Sequence, residues 1–454
     1  MSIWAIVCLF HMATNRMFTI QLHFFLLSAS AVYLLLKPSS VIRLIIFISL
    51  QLYEVFNALP VGSNHWIFAA FVNLTILRAI FYQVLKGRSF QIDKASLLET
   101  FAPIVRIELI ILYFFVVFHK LNSGFFNPVA SCASEFYVAQ NAYSFLPTND
   151  QVLAFNAYFT VLVEALIPIL LCFRLTRNWG LLIGLIFHCL IAYNPINGFY
   201  DFSSVIFATY FLFTSDHFSN RIFRVYKSIL NNRIHLKSQL PQFSYKKFFV
   251  FLMIFVGGVF VVHVLTTQFR DYFRHIIWTA FSFSFIAIFI TSMRTPDTTA
   301  SIDDSFFKIP HASFLLIPVL VFLNGACPYL GLKTESSFAM FSNLRIEDGI
   351  TNHYLVPVGS QIFDYQKELI EITSSSDKVL NSYASKNKLL VYPHFQRIIA
   401  RRRPKTVTYI HNGEEKYFEL ANAGSELIQP QSYWFRKFIR FRPISKEDPQ
   451  PCVH

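Results

Sequence analysis

Ten apolar runs, most of them close to twenty residues long and nearly free of charge, fill the first three quarters of this 454-residue chain. A helix of that length crosses the roughly 30 Å hydrocarbon core of a bilayer, and in lipid its backbone must close its own hydrogen bonds. The runs fall at about 17–36, 41–60, 65–85, 100–119, 152–173, 179–196, 202–214, 248–267, 275–293 and 310–327, after a shorter apolar lead over 1–16. Charged residues make up 14% of the chain, against about 25% in soluble domains. The sequence therefore predicts an α-helical polytopic membrane bundle of about 9–10 spans over 1–327, embedded in a lipid bilayer. A basic n-region and a small-residue cleavage site are not evident at the N-terminus, so the first span is expected to act as an uncleaved anchor.

The connections between runs alternate in charge, and this orients the bundle. Lys37 and Arg43 lie between the first two runs; Lys86, Arg88 and Lys94 follow the third; Arg174 and Arg177 follow the fifth. Arg221, Arg224, Lys227, Arg233, Lys237, Lys246 and Lys247 crowd the loop after the seventh. The intervening connections 60–64, 120–151 and 197–201 hold one lysine and no arginine. Cytoplasmic loops collect the basic residues, so Lys120 faces the opposite compartment. The net charge of +13 is explained by these loops and does not call for nucleic acid.

From about 328 the composition turns soluble, with 17 lysines and arginines against 13 acids. Thr406 to Leu420 alternates on both sides of Asn412-Gly413, a hairpin signal. Phe363 to Ile372 reads as another strand, and His394 to Arg403 as a short basic helix stopped by Pro404. A small C-terminal α+β extracytoplasmic domain over 328–454 is expected.

Ionisable groups inside apolar runs are expensive and mark cavities or partners. Glu54, Arg78, Arg106, Glu108, Glu164 and His188 are such groups. Arg106, Tyr113 and Lys120 recur every seven residues, which places them along one helical stripe. Its ends would lie about 21 Å apart at 1.5 Å per residue. Arg106 is therefore expected to pair with a carboxylate such as Glu54, Glu108 or Glu164. The topology gathers Lys120, His119, Asn64, His65 and His188 toward one membrane face. A lysine there either extends its ammonium to water or folds back into a cavity as a base. Imidazoles and an amine together suit binding and deprotonation of a phenolic or anionic headgroup. The six cysteines form no CxxC, and no spacing suggests a metal site. Cys132 and Cys327 both fall on the non-cytoplasmic side, which leaves a disulfide between them open.

Three segments, in order, resemble the HTTM group of membrane proteins, the group of the vitamin K-dependent γ-glutamyl carboxylases. They are Ser63-Asn64-His65-Trp66, the helix from Arg106 through Tyr113 to Lys120-Leu121, and Arg177-Asn-Trp-Gly180 running to Phe187-His188-Cys189. Gly331 to Asn343, Asn352-His353-Tyr-Leu-Val-Pro357 and Phe441-Arg442-Pro443 resemble further segments of bacterial members. The resemblance implies a reduced vitamin K or menaquinone as cofactor, with no metal, and oxygen chemistry that leads to carboxylation of glutamate in a peptide or protein. It makes Lys120 the initiating base, with His65, supported by Asn64, assisting at the hydroquinone oxygens and His188 lining the pocket as catalytic partners; Asn64, His119, Tyr113, Arg106 and Glu164 are the candidate substrate-binding residues of this chain. Two other readings stand beside it: a non-enzymatic HTTM protein that binds a lipid, peptide or partner protein, and, on intramembrane charge alone, a transporter. The lack of a glycosylation sequon outside the spans and the likeness of the tail point to a bacterial inner membrane, with the endoplasmic reticulum as the alternative.

Overall fold

A run of apolar residues that cannot share its backbone hydrogen bonds with lipid closes them as helix, and the computed structural model follows that rule from the second residue. It describes residues 1–88, 90, 92–141, 145–196, 198–233, 254, 256–258, 261–265, 268–293, 306–422 and 426–452. The helices are α1 (Ser2–Thr14), α2 (Leu22–Leu36), α3 (Val41–Ala58), α4 (Asn64–Gly87), α5 (Lys94–Phe118), α6 (Cys132–Gln140), α7 (Asp150–Cys172), α8 (Arg177–Ile191) and α9 (Tyr200–Tyr210). α10 (Asp216–Arg233), α11 (Arg270–Met293) and α12 (Leu316–Ala326) follow.

Among the described residues, five helical stretches are long and apolar enough to cross a membrane: α3, α4, α5, α7 and Tyr272–Met293 of α11. That is fewer than the ten runs in the sequence. α8, α9 and α12 are apolar but only 11 to 15 residues long. Pro195 and Pro328, just beyond two of them, cannot continue a helix. Most of the expected run at 248–267 lies outside the described residues, as do Lys237, Lys246 and Lys247.

The chain divides into two compact units that interleave along the sequence. The first comprises Met1–Phe56, Ala69–Ile107 and Leu166–Leu315. Its core is aromatic. Trp278, fully buried, meets Phe10, Tyr200 and Phe207 at ring-centre distances of 5.3 to 6.2 Å and donates its indole N–H to the Cys189 carbonyl at 3.2 Å. Aromatic rings at such separations attract edge to face, and a buried indole needs this acceptor.

The second unit comprises Asn57–Phe68, Glu108–Ala165 and Leu316–His454. Residues 328–454 thus group with 57–68, 108–165 and 316–327. Gly325 lets α12 lie against Phe115 of α5, because a Cβ there would overlap the phenyl ring. The tail holds a five-stranded antiparallel sheet in the order β4-β3-β1-β2-β5. The strands are β1 (Leu369–Ser375), β2 (Lys388–Val391), β3 (Thr406–His411), β4 (Glu414–Glu419) and β5 (Ile444–Ser445). Its helices are α13 (Lys378–Ser385), α14 (Tyr392–Arg402) and α15 (Tyr433–Phe438).

The β3–β4 hairpin turns where the sequence signal lies, with Asn412 and Gly413 at φ 54° and 78°. Both central residues of that turn type need positive φ, which Asn and Gly tolerate. The strand expected at 363–372 begins later, at Leu369, because Asp364–Gln366 coil into a 3-10 turn. α14 starts with Pro393 in its first turn and stops at Arg403, which turns left-handed at φ 47° ahead of Pro404. Ile370, Ile372, Leu390, Phe395, Ile399 and Val407 form the domain core. Alternate residues of a strand reach one face, and residues three to four apart in α14 meet it.

The disulfide joins Cys132 to Cys452 rather than to Cys327. Cys327 is buried at the end of α12, and its thiol donates to the Leu323 carbonyl at 3.2 Å. Asn343 prepares the other pairing: its side chain bonds Cys132 N, Ala130 O and Gln450 O, at 2.9, 2.7 and 2.9 Å, and so draws the C-terminal segment to α6.

Candidate functional site

The site in the second unit begins with a sharp turn at the end of α5. The helix stops at Phe118, and Lys120 N tightens to an i to i−3 bond with Val117 O at 3.0 Å. Asn122 fixes that turn from both sides. Its amide donates to His119 O and Ser342 O at 2.8 and 2.7 Å, and its carbonyl oxygen accepts from Phe125 N at 2.8 Å. Lys120 therefore leaves the helical stripe expected from the heptad spacing and folds inward.

Lys120 is 8% exposed and its Nζ donates to Glu164 Oε2 of α7, which is also 8% exposed. The Phe125 ring centre lies 5.4 Å from the amine. A buried charge without a partner costs several kcal/mol, roughly the penalty that this bond offsets. Of the carboxylates considered for Arg106, Glu164 is thus committed to Lys120. The Arg106 guanidinium bonds two carbonyls, Leu212 O at 2.8 Å and Phe306 O at 2.6 Å, and lies 3.6 Å over the Phe306 ring.

His119 is fully buried. Its Nε2–H donates to Ser337 O at 3.2 Å, so its Nδ1 accepts from the Tyr329 hydroxyl at 2.8 Å. Burial pushes its pKa down to about 3, with the Ser337 bond opposing and the cations of Arg442 and Lys120 adding. Burial also raises the Tyr329 phenol. His353 is tied in the same way: Nε2 donates to Phe118 O at 2.8 Å, and Nδ1 accepts from Leu355 N and Val356 N. These imidazoles are neutral, and both nitrogens of each are engaged, so they shape the turn and do not exchange protons.

The segment 334–343 wraps this turn with an unusual backbone. Ser336, Phe338, Phe341 and Asn343 all have positive φ, from 53° to 64°. Left-handed non-glycine residues cost about 1 kcal/mol or more each and persist only where surrounding bonds hold them. Here the bonds are visible. Ser336 Oγ donates to Pro60 O and Gly62 O at 3.2 and 2.8 Å, and Asn64 Oδ1 accepts from Phe338 N at 2.9 Å. Asn64 is thus a clamp on this loop. His65, 9% exposed, faces Ser63 Oγ at 3.3 Å through Nε2. Tyr113 is buried in α5, at 3% exposure.

The structure brings Lys120, Glu164, His119, Asn64, His65 and Tyr113 into one unit; Arg106 and His188 belong to the other. His188 is buried among the rings of Phe187, Phe202 and Tyr210, at 5.4 to 6.1 Å. The sequence reading missed Asn122, Tyr329, Ser337 and Lys333. Lys333 donates to Asn324 Oδ1 at 2.7 Å and Ser336 O at 3.3 Å, and burial lowers its pKa. A signal for this residue was present: a lysine in the segment Gly331 to Asn343, flanked by Gly and small hydroxyl residues. No family model, curated protein or solved structure matches the chain.

An amine and a carboxylate here share one buried hydrogen bond. Such a pair accepts a proton on the carboxylate while the ammonium holds the negative charge left behind, which is general base and electrostatic catalysis in one contact.

Proposed function

We propose that the chain is an integral membrane protein of HTTM type that deprotonates a reduced quinone at Lys120 and Glu164. The observation that carries this reading is the Lys120–Glu164 bond, buried just past the end of an apolar helix. The donor set fits the cofactor class, since a carboxylate beside an ammonium suits a phenolic hydroxyl. When bound, a reduced vitamin K or menaquinone supplies that hydroxyl and the reducing power for oxygen chemistry. Glu164 takes the proton, and Lys120 stabilises the resulting anion. The Phe125 ring limits hydration of the amine. Asn122, His119 and Asn64 position the turn. In this reading the base is the pair, whereas the sequence suggested a lone amine.

The sidedness has independent support. A disulfide persists in an oxidising compartment, so Cys132–Cys452 favours a periplasmic or lumenal second unit, as the basic loops do. Tyr158, Phe126 and Tyr354 stack at 4.5 and 6.1 Å, with both tyrosines largely exposed, as aromatic residues at a membrane interface are. A bacterial inner membrane is the proposed location, with the endoplasmic reticulum as the alternative.

A second reading, a non-enzymatic HTTM protein that binds lipid, peptide or a partner, is favoured by the closed character of the network: the two charges cancel, and both His119 nitrogens are engaged. The test is oxygen uptake by purified protein in nanodiscs given reduced menaquinone or vitamin K hydroquinone. Turnover that is lost in Glu164→Gln supports the enzyme, and carbon dioxide fixed into a glutamate peptide identifies it as a carboxylase. Equal inertness of wild type and variant with both quinols supports the binding reading.

A further inference from the structure

Four arginines gather at one corner of the C-terminal domain. Arg397 of α14 donates to the carbonyl of Arg436 in α15, and Arg440 follows that helix. Arg397 is half buried, and its pKa is pushed down to about 10, first by burial and then by the cations of Arg440, Arg436 and Arg401. Every charge in that account is positive. Nearby Arg402 shows the contrast, since its Nε is closed on both Asp377 oxygens at 2.9 and 2.8 Å. His394, 7% exposed, has its pKa pushed down to about 4, first by burial and then by the charge of Arg440, and its Nδ1 has no hydrogen-bond partner among the described residues. Four guanidinium groups whose charges raise one another's cost suit an anion.

α15 beside them is apolar and uncovered. Tyr433, Trp434 and Phe438 are 54%, 62% and 43% exposed, and the last two rings stack at 5.9 Å. Lys437 ties this helix to Asn57 O at 3.2 Å, at the C-terminal end of α3, an 18-residue candidate span. The turn that follows also exposes Val61, at 64%. The aromatic residues are therefore held where a span would leave the hydrocarbon, the level that Trp and Tyr prefer.

We propose that α15 lies in the headgroup layer of the same bilayer and that Arg397, Arg401, Arg436 and Arg440 hold the phosphate of an anionic phospholipid. Guanidinium groups suit phosphate because their planar donors match its oxygens in pairs. The aromatic side chains supply the apolar half of the contact. This site is separate from Lys120 and Glu164 and does not depend on quinol chemistry.

The experiment uses the full chain in nanodiscs of phosphatidylcholine with or without phosphatidylglycerol. Co-purified lipid is read by native mass spectrometry, and Trp434 is read as the fluorescence difference between wild type and Trp434→Phe. Brominated phosphatidylglycerol is expected to quench that difference signal. Arg401→Gln with Arg436→Gln, both exposed positions, is expected to lower phosphatidylglycerol retention about tenfold and leave phosphatidylcholine unchanged. Unchanged retention in the double variant, a Trp434 signal quenched by aqueous acrylamide and not by bromolipid, or displacement of the lipid by millimolar inorganic phosphate would each overturn the proposal.

Discussion

The two units hold a cation within an apolar helix bundle in opposite ways. In the first, Arg106 is held by two backbone carbonyls and shares the Phe306 ring with Arg177, whose guanidinium lies 3.3 Å from the ring centre. In the second, Lys120 is held by the Glu164 carboxylate. A guanidinium does not release its proton at working pH, and a carbonyl cannot accept one. The first arrangement is thus fixed in charge. The second joins two titratable groups, so a proton can move without a new charge being buried.

The largest effect should separate the two arrangements. Lys120→Ala or Glu164→Gln leaves the remaining group buried without its ion-pair partner, and loss of one partner of such a pair costs about 3–5 kcal/mol. Lys120→Met with Glu164→Leu removes both charges and should recover most of that loss. Thermal unfolding in detergent measures each. If the double variant is no more stable than the singles, Glu164 is not the partner that matters.

The cysteines extend the comparison. Cys8, Cys172 and Cys189 of the first unit are free, whereas the second is bridged from Cys132 to Cys452. Cys452→Ser should lower stability by about 2–5 kcal/mol, and the wild type should lose the same amount under reductant. A wild type indifferent to reductant would show that the bridge is absent in solution.

A smaller, pH-dependent effect belongs to His119. Its folded pKa is about 3 against an ordinary 6.5. Below pH 6.5 the unfolded chain takes up a proton that the folded chain refuses until about pH 3. Stability present above pH 6.5 is therefore lost as the pH falls toward 3. His119→Gln should flatten this part of the curve of Tm against pH, and parallel curves for the two proteins would place the acid sensitivity elsewhere. The least effect is expected from Arg106→Lys, which gives up the second carbonyl bond for about 1 kcal/mol and leaves oxygen uptake unchanged. A loss of turnover there would erase the distinction between the two units.

What the sequence made legible was local. α3, α4, α5 and α7 follow from apolar runs, and the β3–β4 hairpin and α14 follow from Asn412-Gly413, Pro393 and Pro404. What it left out depends on distant residues. Lys120 and Glu164 are 44 residues apart, and Cys132 and Cys452 are 320 apart, so neither pairing leaves a periodic trace. The inward turn at Lys120 overrode the heptad stripe because Asn122 caps His119 O, and that bond is invisible to hydrophobic spacing. The left-handed residues of 336–343 were equally hidden. Two of them are phenylalanines, whose intrinsic preference opposes the conformation that Asn64 and Ser336 enforce.

The account rests on a proton that the Lys120–Glu164 pair can accept. Oxygen uptake with reduced menaquinone or vitamin K hydroquinone tests this most directly when wild type is compared with Glu164→Gln, once thermal unfolding shows that the variant is folded. The substitution keeps the size and an acceptor for the Lys120 ammonium but removes the carboxylate that takes the proton. The expected result is turnover in the wild type and none in Glu164→Gln. Full turnover in that variant would contradict the assignment of the base.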